Sequence, residues 1–242
     1  MKADRTDLWN SKIPQMHPQW NDVDLTEIFA MPTAYLAIGY SNSILAEFGA
    51  QSHERLWERT RQPGGALGNT VKLVQACRDA DISLYWTKYE IFRQEFPQSP
   101  MDKSQYDFWA SGTKKWSEKD KARDCDTVAE IKALMRPEDE IIHYKSLGNV
   151  FLGTMLPSYL NMRGIRTVLL SGFHLDWCIE QAARTCRDMG YMPIVIGDAC
   201  GCGREIDEAE TLHRLDRFFA PVISADHAAA LIQAAALRKQ HR

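Results

Sequence analysis

Cys178 is the residue of this 242-residue sequence whose setting best fits covalent chemistry. It lies in the stretch SGFHLDWCIEQAARTC, shortly after the apolar run TVLLSGF (167–173) and at the start of a helical pattern. The first turn of a helix offers unpaired backbone N–H groups and the positive end of the helix dipole, which favour a thiolate and can hold an oxyanion. A buried structural cysteine fits the same spacing, since free cysteine is among the most buried residue types. Position alone leaves both interpretations open.

Two other positions stand where side chains could join Cys178. Lys145 follows the run EIIHY, and the turn Gly39–Asn42 follows the run TAYLAIGY. In a parallel α/β sheet, the loops at the carboxyl ends of the strands meet at one rim, so residues that are distant in sequence can share a site. A lysine ammonium beside Cys178 would favour the thiolate form.

The elements that must position these residues alternate between strand and helix. Four nearly continuous apolar runs predict strands that are buried on both faces, and two weaker runs bring the count to about six. These runs span residues 33–40, 82–89, 167–173 and 192–200, with the weaker ones at 139–145 and 220–226. Helical patterns lie between them, and two of these end at the glycines Gly164 and Gly190. The sequence therefore predicts an α/β fold, a three-layer α-β-α sandwich around a six-stranded, mostly parallel sheet.

Two regions interrupt this pattern. Residues 1–30 predict an N-terminal arm that packs on the body or on a neighbouring subunit, and residues 31–242 predict one domain. An insertion at about 90–126 is rich in aromatic residues. Such an insertion can wall a ligand pocket, or it can cover a sheet edge or a subunit contact. A homodimer or homotetramer is expected.

Composition excludes several classes of function. The chain has 45% apolar and 25% charged residues, and 29 basic against 32 acidic side chains give a net charge of −3. No cluster of Lys and Arg is dense enough to follow a nucleic-acid backbone, so no nucleic-acid partner is expected. The sequence contains neither a signal peptide nor a membrane span, which predicts a cytoplasmic protein with no membrane partner. Its six cysteines are expected to be free thiols, and the pair Cys200 and Cys202 is weak evidence for a metal.

Three segments resemble the isochorismatase-like cysteine hydrolases, the superfamily of N-carbamoylsarcosine amidase, nicotinamidase and biuret hydrolase. The segment SGFHLDWCIEQAARTCRDMGYMPIVIGDACG is similar to the family signature T-G-x-x-T-x-x-C-V…A…A…R-G-Y…D-A-C. The segment IIHYKSLGNVFLGTMLPSYLNMRGI is similar to the one that carries the family's active-site lysine, and TAYLAIGYSNSI to T-A-L-L-V-I-D-M-Q-N-D-F. The resemblance implies a six-stranded parallel sheet between helices. It also implies that a cysteine thiolate attacks an amide, ureide or nicotinamide carbonyl and forms an acyl-enzyme that water releases.

The resemblance assigns roles by matching position. Cys178 is the implied nucleophile and Lys145 its electrostatic partner. A cis peptide is implied at Phe173–His174, with the amides of His174 and Cys178 directed at the oxyanion. The expected substrate-binding residues are Tyr40, Asn42, Phe151 and Trp177.

The chain departs from the family pattern after the first strand. The family's aspartate, which accepts the thiol proton, is replaced by Gly39, and Tyr40, Ser41 and Ser43 also differ from the pattern. Several differences together favour natural divergence, and an engineered substrate-trapping substitution at residue 39 is the alternative. His174 is the nearest titratable replacement, although it also fits an outward-facing loop residue, and Glu47, Asp176 and Tyr40 are weaker candidates. Nicotinamidase-like relatives hold a metal with an Asp-x-His…His pattern that is not evident here, so we predict no metal and no cofactor.

Three functions follow from these observations. The leading hypothesis is a cysteine hydrolase that cleaves a C–N bond in a small-molecule amide or ureide. The second is a catalytically degenerate binding or regulatory protein in which Gly39 marks an inactive site. The third is isomerase or lyase chemistry in the same pocket, with Lys145 or His174 as the acid or base.

Overall fold

A six-stranded sheet forms the centre of the computed structural model, which describes residues 16–89, 99–109, 111–144 and 148–240. All strand pairs are parallel, and the strand order is β3-β2-β1-β4-β5-β6. The strands are β1 Thr33–Ile38, β2 Ser83–Tyr89, β3 Glu140–Tyr144, β4 Thr167–Phe173, β5 Met192–Gly201 and β6 Val222–Ile223. Each lies within one of the six predicted runs or extends one residue beyond it.

Helices cover both faces of this sheet. The described α-helices are α1 Leu25–Ala30, α2 Asn42–Leu45, α3 Leu56–Arg59, α4 Ala66–Asp79, α5 Pro100–Trp109, α6 Glu118–Cys125, α7 Ala129–Lys132, α8 Leu156–Met162, α9 Glu180–Asp188, α10 Glu205–Phe218 and α11 Ala225–Gln240. The apolar side chains of α1, α4 and α11 form one buried cluster against the sheet. Those of α8, α9 and α10 form a second cluster on the opposite face. The predicted three-layer α/β sandwich is confirmed.

The two central strands, β1 and β4, are buried along their whole length. They pair with each other from Thr33 opposite Thr167 to Ile38 opposite Gly172. The two strands therefore end side by side, and Gly39, which follows β1, is a neighbour of Phe173, the last residue of β4.

The N-terminal residues that the structure describes pack on their own chain. The backbone N–H of His17 donates to the Asp216 carboxylate at 2.6 Å, and the Trp20 indole N–H donates to the Asp216 carbonyl oxygen at 2.6 Å. Leu25 and Phe29 of α1 join the cluster formed with α4 and α11. The predicted homo-oligomer stays a prediction.

The cysteines and the helices bear on two predictions, that the thiols are free and that the chain has no membrane span. All six cysteines are free thiols. Within the described ranges, no helix combines the length and apolar composition that crossing a lipid bilayer requires.

Candidate active site

The end of β1 leaves no room for a side chain at residue 39. Gly39 has φ +73°, a conformation that residues other than glycine rarely adopt. A Cβ atom at Gly39 would lie 2.2 Å from the carbonyl oxygen of Phe173. The Gly39 N–H donates to the Thr87 hydroxyl at the end of β2, at 3.3 Å. At the position where the family pattern has an aspartate, the backbone of Phe173 therefore occupies the space that a side chain would need.

Cys178 lies in a π-helix, Leu175–Ile179, that leads from β4 into α9. The Ile179 N–H donates to the carbonyl oxygen of His174 at 3.1 Å, the five-residue spacing of a π-turn. Cys178 is 5% exposed and packs in the cluster on the α8–α10 face. The predicted first helical turn is thus present in π-helical form, and Cys178 lies almost entirely buried in an apolar surrounding.

His174 is buried, so the alternative of an outward-facing loop residue is wrong. The Phe173–His174 peptide is cis, as the resemblance implies. The His174 Nε2 atom lies 2.6 Å from the Glu54 carboxylate, which reaches it from the 3₁₀ turn Ser52–Glu54. Burial raises the pKa of Glu54, but the hydrogen bond and charge of His174 outweigh it and hold that pKa below its usual value. The pair therefore includes an ionised carboxylate at neutral pH.

Tyr40, predicted to bind substrate, has its side chain on the opposite face of the sheet from Cys178. Its hydroxyl lies 2.7 Å from the Thr70 hydroxyl and 2.8 Å from the Ser171 hydroxyl. Its ring meets the Phe173 ring edge-to-face at 5.3 Å between centroids. Burial raises the pKa of Tyr40. The Tyr40 side chain therefore packs beneath the adjacent ends of β1 and β4, on the face of the sheet away from Cys178.

Asn42 joins the β1 end to the second half of the insertion. Its side-chain amide donates to the Arg123 carbonyl oxygen at 2.8 Å, and its backbone N–H donates to the Asp126 carbonyl oxygen at 2.8 Å. Nearby, the fully buried Asp124 accepts a hydrogen bond from the Ala50 N–H at 2.9 Å. These contacts hold α6 against the turn that follows β1.

Trp177 and Phe151 both lie on the Cys178 face. Phe151 is buried in the same cluster as Cys178, and Trp177 is partly buried beside that cluster. A Cβ atom at Gly148 would lie 2.5 Å from the Trp177 indole nitrogen, so the loop after β3 rests directly on this indole. Lys145 lies outside the described residues, three positions before Gly148.

The remaining candidates for a base or for metal ligands are dispersed. Glu47 and Asp176 are exposed. The sulfur atoms of Cys200 and Cys202 are buried and contact the carbonyl oxygens of Ile196 and Arg204. Within the described part of the chain, no three His, Cys, Asp or Glu side chains are grouped so that they could hold a metal ion.

The comparison with protein families agrees with this architecture. The model of the isochorismatase domain matches residues 33–227. The chain belongs to the isochorismatase family. The match begins at the first residue of β1 and extends into α11, so all six strands lie within the isochorismatase domain.

Two curated proteins are similar in sequence to this isochorismatase-family chain. An uncharacterized isochorismatase family protein of Bacillus subtilis, YrdC, is 29% identical over 84 residues, which are 34% of this chain and 45% of that protein. The match therefore spans less than half the length of YrdC. Nicotinamidase 3 of Arabidopsis thaliana is 24% identical over 160 residues, 66% of this chain and 76% of that protein.

Solved structures share the fold over most of their length. A cysteine hydrolase from Pseudomonas syringae pv. phaseolicola superposes with a TM-score of 0.70 at 15% identity, covering 92% of this chain and 98% of that one. N-carbamoylsarcosine amidase from Thermoplasma acidophilum superposes with a TM-score of 0.60 at 19% identity, covering 81% and 98%. The isochorismatase-like fold is therefore shown.

Sequence reasoning missed Glu54, the partner of His174. Its place depends on the path of residues 46–54, which carry no pattern that predicts contact with the end of β4. The available signal was chemical: a histidine at the start of the π-helix needs a hydrogen-bonding partner if it is buried.

Proposed function

We propose that this protein is a cysteine hydrolase that cleaves a C–N bond in a small amide or ureide through an acyl-enzyme on Cys178. The observation that carries the proposal is the position of Cys178, in the turn directly after β4 at the rim where β1 and β4 end side by side. Family membership supports hydrolysis. The names of two similar proteins, nicotinamidase and N-carbamoylsarcosine amidase, support an amide or ureide substrate.

Lys145 is the proposed cation beside the thiolate. It follows β3, which stands three strand positions from β4, about 14 Å across the sheet. Gly148, three positions after Lys145 in the sequence, contacts the indole of Trp177, the neighbour of Cys178 in the chain. The family resemblance assigns the role of cation to Lys145, and an ammonium group beside the sulfur would favour the thiolate.

The proposed reaction has two steps. The Cys178 thiolate attacks the carbonyl carbon, and the backbone N–H groups of His174 and Cys178 hold the developing oxyanion. The C–N bond then breaks, the Lys145 ammonium donates a proton to the departing nitrogen, and a thioester remains on Cys178. In the second step water attacks the thioester, Lys145 takes back a proton from this water, and the acid product leaves with the thiolate restored. The sum is amide plus water giving acid plus amine, and a carboxylate at residue 39 is not required.

A second candidate function is a catalytically inactive member of the family. The observation that favours it is the closed space at Gly39, where the family's proton acceptor would stand. An inactive member would bind a small molecule at this rim without forming a thioester.

Mass spectrometry of the intact protein separates the two. The protein is incubated with nicotinamide, N-carbamoylsarcosine and a panel of small linear amides and ureides, and then quenched in acid. We expect an acyl adduct that maps to Cys178, release of ammonia or amine, and loss of both in Cys178→Ala. Lys145→Met should reduce turnover by about 10²–10⁴-fold, because it removes the charge and the proton donor.

The control is Cys186→Ala, which removes a buried thiol of α9 in the same apolar cluster. It should keep the adduct and the turnover. Turnover in Cys178→Ala equal to that of the parent would exclude the hydrolase proposal. Binding of a panel compound without an adduct would favour the inactive member.

A further inference from the structure

We infer that Glu54 is a positioning residue for acyl transfer, because its carboxylate fixes His174 and thereby the backbone N–H that the proposed reaction directs at the oxyanion. This inference rests on the proposed function. In this inference Glu54 acts through its contact with His174.

The His174 residue is held at two places besides its peptide bonds. Its carbonyl oxygen accepts hydrogen bonds from the Ile179 N–H at 3.1 Å, which closes the π-turn, and from the Trp177 N–H at 3.3 Å. Its side chain is 8% exposed and does not cap the helix. The ring turns instead to Glu54, with 2.6 Å between Nε2 and the carboxylate oxygen. The contact with Glu54 therefore sets the orientation of the residue at the start of the π-helix.

Glu54 is itself held in place from several sides. Its backbone N–H donates to the Gln51 carbonyl oxygen at 3.3 Å. A Cβ atom at Gly203, just after β5, would lie 3.1 Å from the Glu54 carboxyl carbon. The charges of His53 and Arg59 add to that of His174 in lowering the pKa of Glu54, although burial opposes them as the largest single influence. The ionised carboxylate is therefore packed between His174, after the end of β4, and Gly203, after the end of β5.

The Phe173 side of the Phe173–His174 peptide bond is held by contacts that do not involve Glu54. The Phe173 ring packs against the Tyr40 ring, and the Phe173 carbonyl oxygen faces Gly39. The Phe173 carbonyl group and the His174 N–H belong to one planar peptide unit, which is therefore anchored at both ends. Losing the Glu54 contact leaves this unit anchored at the Phe173 end only, so its plane can tilt. Cys178 packs among apolar residues that do not depend on Glu54. We therefore expect removal of Glu54 to disturb oxyanion binding more than thiol reactivity.

Two probes of Cys178 test this separation. Iodoacetamide alkylates a thiolate without forming an oxyanion, and its rate at Cys178 is followed by peptide mass mapping. Acetaldehyde adds to the thiolate to give a tetrahedral hemithioacetal whose oxygen needs the N–H groups, and its affinity is measured as protection of Cys178 against alkylation. The variants are Glu54→Gln and Glu54→Ala, and Gly203→Ala displaces the carboxylate without removing it. The matched control is Glu58→Gln, because Glu58 pairs with Arg55 on the same segment and is 40% exposed.

In both Glu54 variants and in Gly203→Ala we expect alkylation rates within about twofold of the parent. Acetaldehyde protection should weaken by roughly tenfold in Glu54→Ala and less in Glu54→Gln, which keeps a hydrogen-bond acceptor. This is smaller than the loss of about 10²–10³-fold in kcat that follows removal of an oxyanion donor, because the donor is displaced and not removed. Glu58→Gln should match the parent in both measurements.

Unchanged protection in all three variants would overturn the inference while leaving the hydrolase proposal standing. A parallel fall of alkylation and protection, accompanied by a lower Tm, would also overturn it, because that pattern indicates a general structural role. If Cys178 of the parent protein reacts with neither probe, the proposed function fails and the inference fails with it.

Discussion

The ends of β1 and β4 lie side by side, yet they have diverged from the family pattern to very different degrees. At the β4 end, the thiol, the cis peptide and the helix start all agree with that pattern. At the β1 end, Gly39 replaces the acid, and its left-handed backbone brings a neighbouring carbonyl oxygen into the space of a side chain. The β4 end thus agrees with the family pattern, whereas the β1 end departs from it in both sequence and backbone. A single substitution at residue 39 therefore cannot restore the family arrangement.

Of the variants that compare the β1 and β4 ends, substitution of Gly39 should cause the largest loss of stability. Gly39→Ala forces a methyl group to within 2.2 Å of the Phe173 carbonyl oxygen and also forces a positive φ. We expect a loss of about 3–4 kcal/mol in the free energy of unfolding, measured by urea denaturation. Gly39→Asp should be at least as destabilising and should gain no hydrolytic activity.

Gly164→Ala is the matched control for Gly39→Ala. Gly164 has φ +62°, and no atom lies within 4 Å of the Cβ that alanine would add. It should therefore cost only the conformational penalty of about 1–2 kcal/mol. Equal losses in the two variants would show that the contact with Phe173 contributes nothing and that the β1 end can accept a side chain.

Tyr40→Phe tests whether the β1 end still takes part in substrate binding. Removal of the hydroxyl breaks the buried contacts with Ser171 and Thr70, and we expect a loss of about 1–2 kcal/mol in unfolding free energy. Because the side chain lies on the face away from Cys178, KM should stay at the parent value. A raised KM with unchanged stability would return Tyr40 to the predicted substrate-binding role.

The smallest expected effect concerns pH. Stability should change with pH in opposite directions for the carboxyl group of Asp124 near the β1 end and for that of Glu54 near the β4 end. Burial raises the pKa of Asp124 beside the β1 end, whereas the His174 contact outweighs burial and lowers the pKa of Glu54 at the β4 end. The stability that ionised Glu54 provides is present above its unfolded pKa of about 4 and is lost as pH falls through the folded value. For Asp124 the protonated form is favoured in the folded state, so stability declines as pH rises from the unfolded pKa to the folded pKa.

Unfolding free energies at pH 3.5 and pH 7 measure this difference. Relative to the parent, Glu54→Gln should become less stable as pH rises, and Asp124→Asn should become more stable. The same direction of change in both variants would contradict the opposite shifts of the two pKa values.

The strands and helix ends were predictable because they depend on local pattern. Apolar runs marked all six strands, and Gly164 and Gly190 adopt the positive φ expected after a helix. Amphipathic spacing was less reliable. The spacing of apolar residues in the sequence predicts Val71 on one buried helix face with Leu67 and Val74. Val71 is 40% exposed, because α4 turns Thr70 and Leu73 to the core instead. The last strand is only two residues long, since α11 begins at Ala225.

The site was predictable only where a motif marked it. Cys178 and the cis peptide followed from a specific resemblance around the β4 end. The Glu54–His174 contact and the contact of the Tyr40 hydroxyl with Thr70 depend on how distant segments cross, and no local pattern encodes such crossings. The π-turn also left no sequence signal, because its apolar spacing is close to that of an α-helix.

The strand order also dictates when this junction can exist during synthesis. The hydroxyls of Tyr35 on β1 and Ser171 on β4 are 2.5 Å apart in space but 136 residues apart in the chain. At about 5–20 residues per second, a ribosome takes many seconds to deliver β4 after β1 has emerged. In the sheet, β4 pairs with β1 on the side away from β2, so β1 has no partner strand on that side until β4 has been made. The junction between Gly39 and Phe173 can therefore form only late in the synthesis of the chain.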